Sequence, residues 1–177
     1  MKARTYNSIA PIIHEKWVAN VLGMKKNPNK GPDLIDNKKF LEVKFCLIKP
    51  KDNKKEYPTA WTILDHQLEY ADIWAMPGFW LLGFYELDRA VKKVRTYDLQ
   101  ELEEMVLQRE AYIIKWSWMN QYAPHRCRGK TNFSQWDNTF LYPKFKDIPK
   151  ITKTMQMEKG LVHLTEGVPD YFFNFHP

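Results

Sequence analysis

Apolar side chains recur every fourth residue at Ile9, Ile13, Trp17 and Val21, with Ala10 and Val18 widening the stripe, so the spacing predicts a helix from Asn7 or Ser8 to Gly23. Pro11 falls in its first turn, where a missing N–H is tolerated, and Gly23 supplies the stop. KKNPNKGPD reads as a loop rich in turn formers and lysine. Two short apolar runs come next, Leu34-Ile35 and Phe40 to Leu47, separated by Asp36-Asn37-Lys38-Lys39, a spacing that predicts a β-hairpin. KPKDNKKEYP is a charged, proline-bounded loop. Thr62 with Asp65 resembles a helix cap, and Leu64, Leu68, Ala71 and Ala75 give a second helical stripe ending at Pro77-Gly78. FWLLGFYEL has the length and continuity of a strand buried on both faces, and Val91 to Arg95 alternates like a more exposed strand. Asp98 with Glu101 marks another cap, opening a long helix through roughly Met119.

Beyond Gln121 the periodicity fades, and the remaining residues are expected to pack on the main body through Phe133, Trp136, Phe140 and Tyr142. The order helix, hairpin or three-stranded unit, helix, strand, strand, helix predicts an α/β fold, a mixed central sheet flanked by helices. We expect a core over residues 1–120 and a dependent C-terminal extension over 121–177.

The chain has 177 residues, 44% of them hydrophobic, which supports one globular core and excludes a disordered chain. Cys46 and Cys127 are too few for a disulfide scaffold, and no run of 18 apolar residues or cleavable leader is visible. The expectation is an intracellular, cytoplasmic protein with no membrane segment. The formal charge of +6 is unevenly spread: residues 1–60 hold 13 Lys/Arg against 6 Asp/Glu, 61–110 hold 5 against 10, and 111–177 hold 9 against 5. An acidic middle between basic ends suits a globule with nucleic acid on one side, or simply uneven surface decoration.

The chemistry concentrates in GPDLIDNKKFLEVKF. Residues two apart on a strand share a face, so Glu42 and Lys44 project together, and the hairpin brings Asp33 alongside. Two converging carboxylates repel unless a cation separates them, and hard oxygen ligands favour Mg²⁺ or Mn²⁺. A lysine beside such an ion can orient water or stabilise a phosphoryl oxygen. Taken singly, Asp33 could be a turn residue and Glu42 and Lys44 a solvated strand face.

Pro32-Asp33, eight intervening residues, then Glu42-Val43-Lys44 resemble the signature of the PD-(D/E)XK nuclease superfamily. The element order over residues 7–87 is similar to its αβββαβ, restriction-endonuclease-like core, and the first-helix Glu15 and second-helix Gln67 resemble features of its restriction-enzyme and archaeal Holliday-junction-resolvase branches. The resemblance implies a Mg²⁺-dependent DNA endonuclease, with Mn²⁺ as a substitute, acting as a homodimer and leaving 5′-phosphate and 3′-hydroxyl ends. It implies Asp33, Glu42, Lys44 and Gln67 as catalytic residues, and Glu15, Asp33, Glu42 and the Val43 carbonyl as metal ligands. For Glu15 an exposed helix position, and for Gln67 a polar residue at the core margin, remain the alternatives; Asp36 reads as turn and His14 as a surface or core-edge residue.

Lys25, Lys26 and Lys30 flank this string and are candidates for phosphate contacts, as are Arg126, Arg128 and Lys130 in a loop carrying His125 and Cys127. His125-x-Cys127 lacks the partners of a zinc site. The Trp116, Trp118, Trp136 and Tyr171–Phe173 aromatics read as core or dimer interface. The length of the C-terminal part favours specialised or sequence-reading duplex cleavage over junction resolution; a non-catalytic nucleic-acid-binding module on the same fold is the competing reading.

Overall fold

The computed structural model describes residues 4–51, 54–56, 60–92, 95–117, 126–127, 133–137, 151–154 and 172. A two-residue strand β1 (Arg4–Thr5) leads into helix α1 (Tyr6–Leu22), which buries Ile9, Ala10, Ile13, Trp17, Val18 and Val21 and ends at Gly23 in the left-handed conformation, φ 65°. Strands β2 (Lys25–Lys26), β3 (Leu34–Ile35) and β4 (Phe40–Leu47) then form an antiparallel meander, Leu34 facing Leu41 and Ile35 facing Phe40. Asp36 makes the turn between β3 and β4, its Oδ1 accepting from the Lys38 and Lys39 N–H groups at 2.7 and 2.9 Å. The segment read as loop before the hairpin thus contains a strand, β2.

The charged stretch after β4 is a small antiparallel ladder, β5 (Lys49–Lys51) with β6 (Lys54–Glu56), where Pro50 is tolerated because only one neighbour needs a donor. The capped helix expected from Thr62 is corrected: Ala60–Leu64 is strand β7, Asp65–Glu69 a 3-10 turn, and helix α2 covers only Tyr70–Trp74. β7 pairs with β12 (Phe133–Asp137), which pairs in turn with β11 (Arg126–Cys127), so partners distant in sequence override the local helical spacing.

Strand β8 (Gly78–Leu87) is the buried centre of a six-stranded sheet that also holds β10 (Val106–Lys115) and β13 (Ile151–Thr154), ordered β13-β10-β8-β4-β3-β2, with β8 parallel to β4 and antiparallel to β10. Of the exposed strand expected at Val91 to Arg95, Lys93 and Val94 lie outside the described residues; the described strand that follows is β9 (Thr96–Tyr97), which pairs with β1, and Arg95 N–H donates to the Lys92 carbonyl. Asp98 does cap a helix, accepting from Glu101 N–H at 2.7 Å, but that helix, α3 (Leu99–Glu104), is short. Val106–Lys115 is strand β10 rather than the remainder of a long helix, and β13 (Ile151–Thr154) pairs with its outer edge. The β-branched and aromatic Tyr112-Ile113-Ile114 run pairs with Leu82-Leu81-Trp80, which a helix would forgo.

The sheet buries both faces. Leu41, Val43, Phe79, Leu81 and Ile113 meet Trp17, Val18 and Val21 of α1, while Phe40, Trp80, Leu82, Phe84 and Ile114 meet Trp61 of β7 and Tyr70 of α2. Phe172 joins the α1 side. Phe140, Tyr142, Trp118, Tyr171 and Phe173 lie outside the described residues. Among the described residues no helix is long and apolar enough to cross a membrane.

Candidate functional site

Where β3 runs out, β4 continues. Its backbone there meets the side chain of Asp33 instead of a strand: Val43 N–H donates to Asp33 Oδ2 at 2.8 Å. Within a strand the N–H and C=O of one residue face the same neighbour, so the Val43 carbonyl also faces the Asp33 edge. The loop leading to Asp33 is held by buried Asn27, whose N–H donates to the Asp33 carbonyl, whose Nδ2 donates to the Pro32 carbonyl, and whose Oδ1 accepts from Asn29 N–H, all at 3.0 to 3.1 Å. Gly31, φ 150°, lies so close to α2 that a Cβ there would sit 2.5 Å from the Trp74 ring. Asp33 is thereby fixed against both β4 and α2.

Glu42 and Lys44 project from β4 toward the α2 side. Glu42 is fully buried; its Oε1 accepts from Lys44 Nζ at 2.7 Å and from Gln67 Nε2 on the 3-10 turn, while its Oε2 is buried without a hydrogen-bond partner. An unpartnered buried carboxylate oxygen is costly. Burial raises the Glu42 carboxyl above its ordinary range against the opposing pull of Lys44. Burial first, then the Glu42 charge, push Asp33 up to about 7. Tyr70 on α2 is also within range: burial, then Glu42 and Asp33, push its hydroxyl up to about 12. Sequence reasoning missed Tyr70, Asn27 and Trp74, which have no local signature.

Searches against protein-family models, curated proteins and solved structures each find no match for this chain.

A cleft of about 750 Å³ opens between α1 and this edge, lined by Asp33, Val43, Lys44, Glu15, His14 and Tyr85 among others. Glu15 stands on its α1 wall, paired with Lys26 of β2. His14 is buried against Phe45 and Tyr85, with its Nδ1 accepting from Arg109 Nε at 3.1 Å; Arg109, itself fully buried, is held by Glu103. Burial, then Arg109, hold the His14 imidazole well below its usual value, so it is a neutral core residue. Sequence reasoning also missed this Glu103–Arg109–His14 chain, which spans three elements.

Asp33, Glu42, Lys44 and Gln67 are thus brought together, with Glu15 across the cleft. Among the described residues no group of three His, Cys, Asp or Glu side chains is arranged as a cation cage. The donors that could hold a hard divalent cation are fewer: the Asp33 and Glu42 carboxylates and the Val43 carbonyl, with Glu42 Oε2 buried and without a hydrogen-bond partner. Lys25 and Lys26 are exposed on β2, and Lys30 is exposed on the adjoining loop. Arg126 lies on β11; Arg128, Lys130 and His125 are outside the described residues.

Proposed function

We propose that the chain is a Mg²⁺-dependent endodeoxyribonuclease with a PD-(D/E)XK-type, restriction-endonuclease-like core, cleaving phosphodiester bonds of duplex DNA to leave 5′-phosphate and 3′-hydroxyl ends. The observation that carries it is the convergence of Asp33 and Glu42, with one buried Glu42 oxygen unpartnered and the Lys44 ammonium on the other. In support, the chain passes through α1, the β2–β3–β4 meander, α2 and the parallel strand β8 in that order, with β5, β6, β7 and the 3-10 turn inserted between β4 and α2, an elaborated form of the αβββαβ succession.

Asp33, Glu42 and the Val43 carbonyl would hold the cation, which when bound supplies Lewis acidity toward a phosphoryl oxygen. Gln67 holds the Glu42 carboxylate in place, and Asn27 holds the Asp33 backbone. Lys44, with about a fifth of its side chain exposed, would release Glu42 and turn into the cleft, orienting the attacking water and balancing the charge developing on the phosphate. Lys25, Lys26 and Lys30 would neutralise backbone phosphates alongside, making binding strongly salt-dependent.

The test is nicking of supercoiled plasmid by the full chain with Mg²⁺ or EDTA, beside a four-way junction as substrate. Cleavage is expected with Mg²⁺ alone, lost in Glu42→Ala and Lys44→Ala while duplex binding persists. Full activity in either variant overturns the assignment; cleavage confined to the junction would make the chain a resolvase, and binding without any turnover a nucleic-acid-binding module.

A further inference from the structure

We propose that the Lys26–Glu15 ion pair is a substrate-operated latch, through which a phosphodiester in the cleft raises the affinity of the Asp33/Glu42 site for its divalent cation. This rests on the nuclease reading above.

The backbone of Lys26 is locked to the segment ending in Asp33: Lys26 faces Leu34 across the β2–β3 ladder, and the next N–H, that of Asn27, donates to the Asp33 carbonyl. Its ammonium reaches Glu15 on α1, a residue that lines the cleft together with Asp33, so the pair stands at the edge of the cleft with the carboxylate on its wall. The exposures are unequal, 63% for the Lys26 side chain and 14% for Glu15. An arriving phosphate therefore meets the lysine first, whereas the carboxylate stays on the wall facing Asp33.

Glu15, Asp33 and Glu42 carry three negative charges when ionised, and Lys26 and Lys44 two positive ones, leaving the assembly with one net negative charge. A divalent cation alone overshoots by one, and a single phosphodiester alone deepens the excess; together they bring the site to neutrality. When Lys26 turns to the phosphate, Glu15 is released, and its carboxylate, directly or through a water, attracts the cation held by Asp33 and Glu42. Linkage requires the converse, so the cation strengthens phosphodiester binding by the same factor. An ion pair whose lysine is mostly in water holds weakly, which makes the exchange easy and limits the coupling to about threefold to fivefold.

The test measures Mn²⁺ affinity of the full chain by electron paramagnetic resonance, with and without a cleavage-resistant phosphorothioate duplex. Wild type is expected to bind Mn²⁺ about threefold to fivefold more tightly with the duplex. Lys26→Met should bind Mn²⁺ more tightly by that factor without the duplex and gain less from the duplex than wild type by the same factor, Lys26→Arg should restore the coupling, and Lys16→Met, which removes an exposed lysine next to Glu15, should behave as wild type. The latch is overturned if Lys26→Met keeps the wild-type affinities in both conditions, or if Lys16→Met tightens Mn²⁺ as much. If wild type binds no Mn²⁺, or Glu42→Gln binds it equally well, the cation-site reading falls and the latch with it.

Discussion

Replacing Glu42 with glutamine separates what this residue does for the fold from what it does for the site. The change is isosteric: the amide oxygen can still accept from Lys44 and Gln67 as Glu42 Oε1 does. What disappears is a negative charge in a fully buried side chain with one oxygen unpartnered. An unsatisfied buried group costs about 1–3 kcal/mol, more when ionised. Against this stand the new orphan amide N–H and the lost attraction to Lys44, whose ammonium, 21% exposed along the side chain, can hydrate through the cleft. The net expectation is that Glu42→Gln is more stable than wild type by about 1 kcal/mol in EDTA, a rise in Tm of about 2–4 °C for a chain of this length. The size of the difference depends on pH. Burial raises the Glu42 carboxyl, so in acid the wild-type group is protonated and the two proteins converge; the gap opens as pH rises through the folded-state value. Mg²⁺ should reverse the order, since a cation at about one hundred times its Kd adds about 2.7 kcal/mol to wild type and nothing to a variant that cannot bind it. Calorimetric melts of both proteins in EDTA and in Mg²⁺ decide the matter. A variant less stable than wild type in EDTA at neutral pH, or one stabilised by Mg²⁺ as much as wild type, refutes the reasoning.

Asp33, pushed up to about 7 from 3.8, binds a proton more tightly folded than unfolded. Its contribution to the stability of the cation-free protein is full below its unfolded value and is lost as pH rises through about 7; Mg²⁺ affinity should climb over the same window, and calorimetric titrations showing a flat affinity there would refute it. Gly31→Ala drives a Cβ to 2.5 Å from the Trp74 ring at a strained φ, so we expect a loss of about 1–3 kcal/mol in urea unfolding and weaker Mg²⁺ binding through displacement of Asp33; an unchanged midpoint and affinity would show that the loop does not hold Asp33. Glu103→Ala strips the fully buried Arg109 of a bidentate partner, and a loss of about 3 kcal/mol is expected; a loss below half of that would mean that His14 and water suffice for Arg109.

How far the chain could be read from its residues depends on the range of the forces involved. Helix α1 and the β3–β4 hairpin were legible because their signals are local: a stripe every fourth residue closed by Gly23, and two apolar runs around an Asp36 turn. The stretch from Thr62 misled because Leu64, Leu68 and Ala71 are spaced like one helix while the backbone divides them between β7, a 3-10 turn and α2. Its β7 half is settled by pairing with residues 133–137, some 70 positions away, which no window on the sequence contains. The same holds for β10, where Asp98 announces a real helix start but the pairing of Tyr112 to Ile114 with β8 decides the course of the chain past Glu104.

The site divides along that line too. Asp33, Glu42 and Lys44 were legible because a two-residue strand period and a short turn bring them together. The residues that support them were not: Asn27 acts through a turn of backbone bonds, Trp74 through a ring pressed on Gly31, and Tyr70 through proximity across the α2 layer. Their side chains are ordinary for a loop or a core, and only the packing gives them a role. Substitutions at Asn27 and Trp74 therefore perturb the site through the position of Asp33, and calorimetric Mg²⁺ titrations of the two single variants and the double variant should show a combined loss of affinity smaller than the sum of the single losses. Asn27, through Pro32 and Asp33, and Trp74, through Gly31, hold the same loop between β2 and β3, and once either lets go, the other has less left to hold. Fully additive losses would mean that the two act on Asp33 independently.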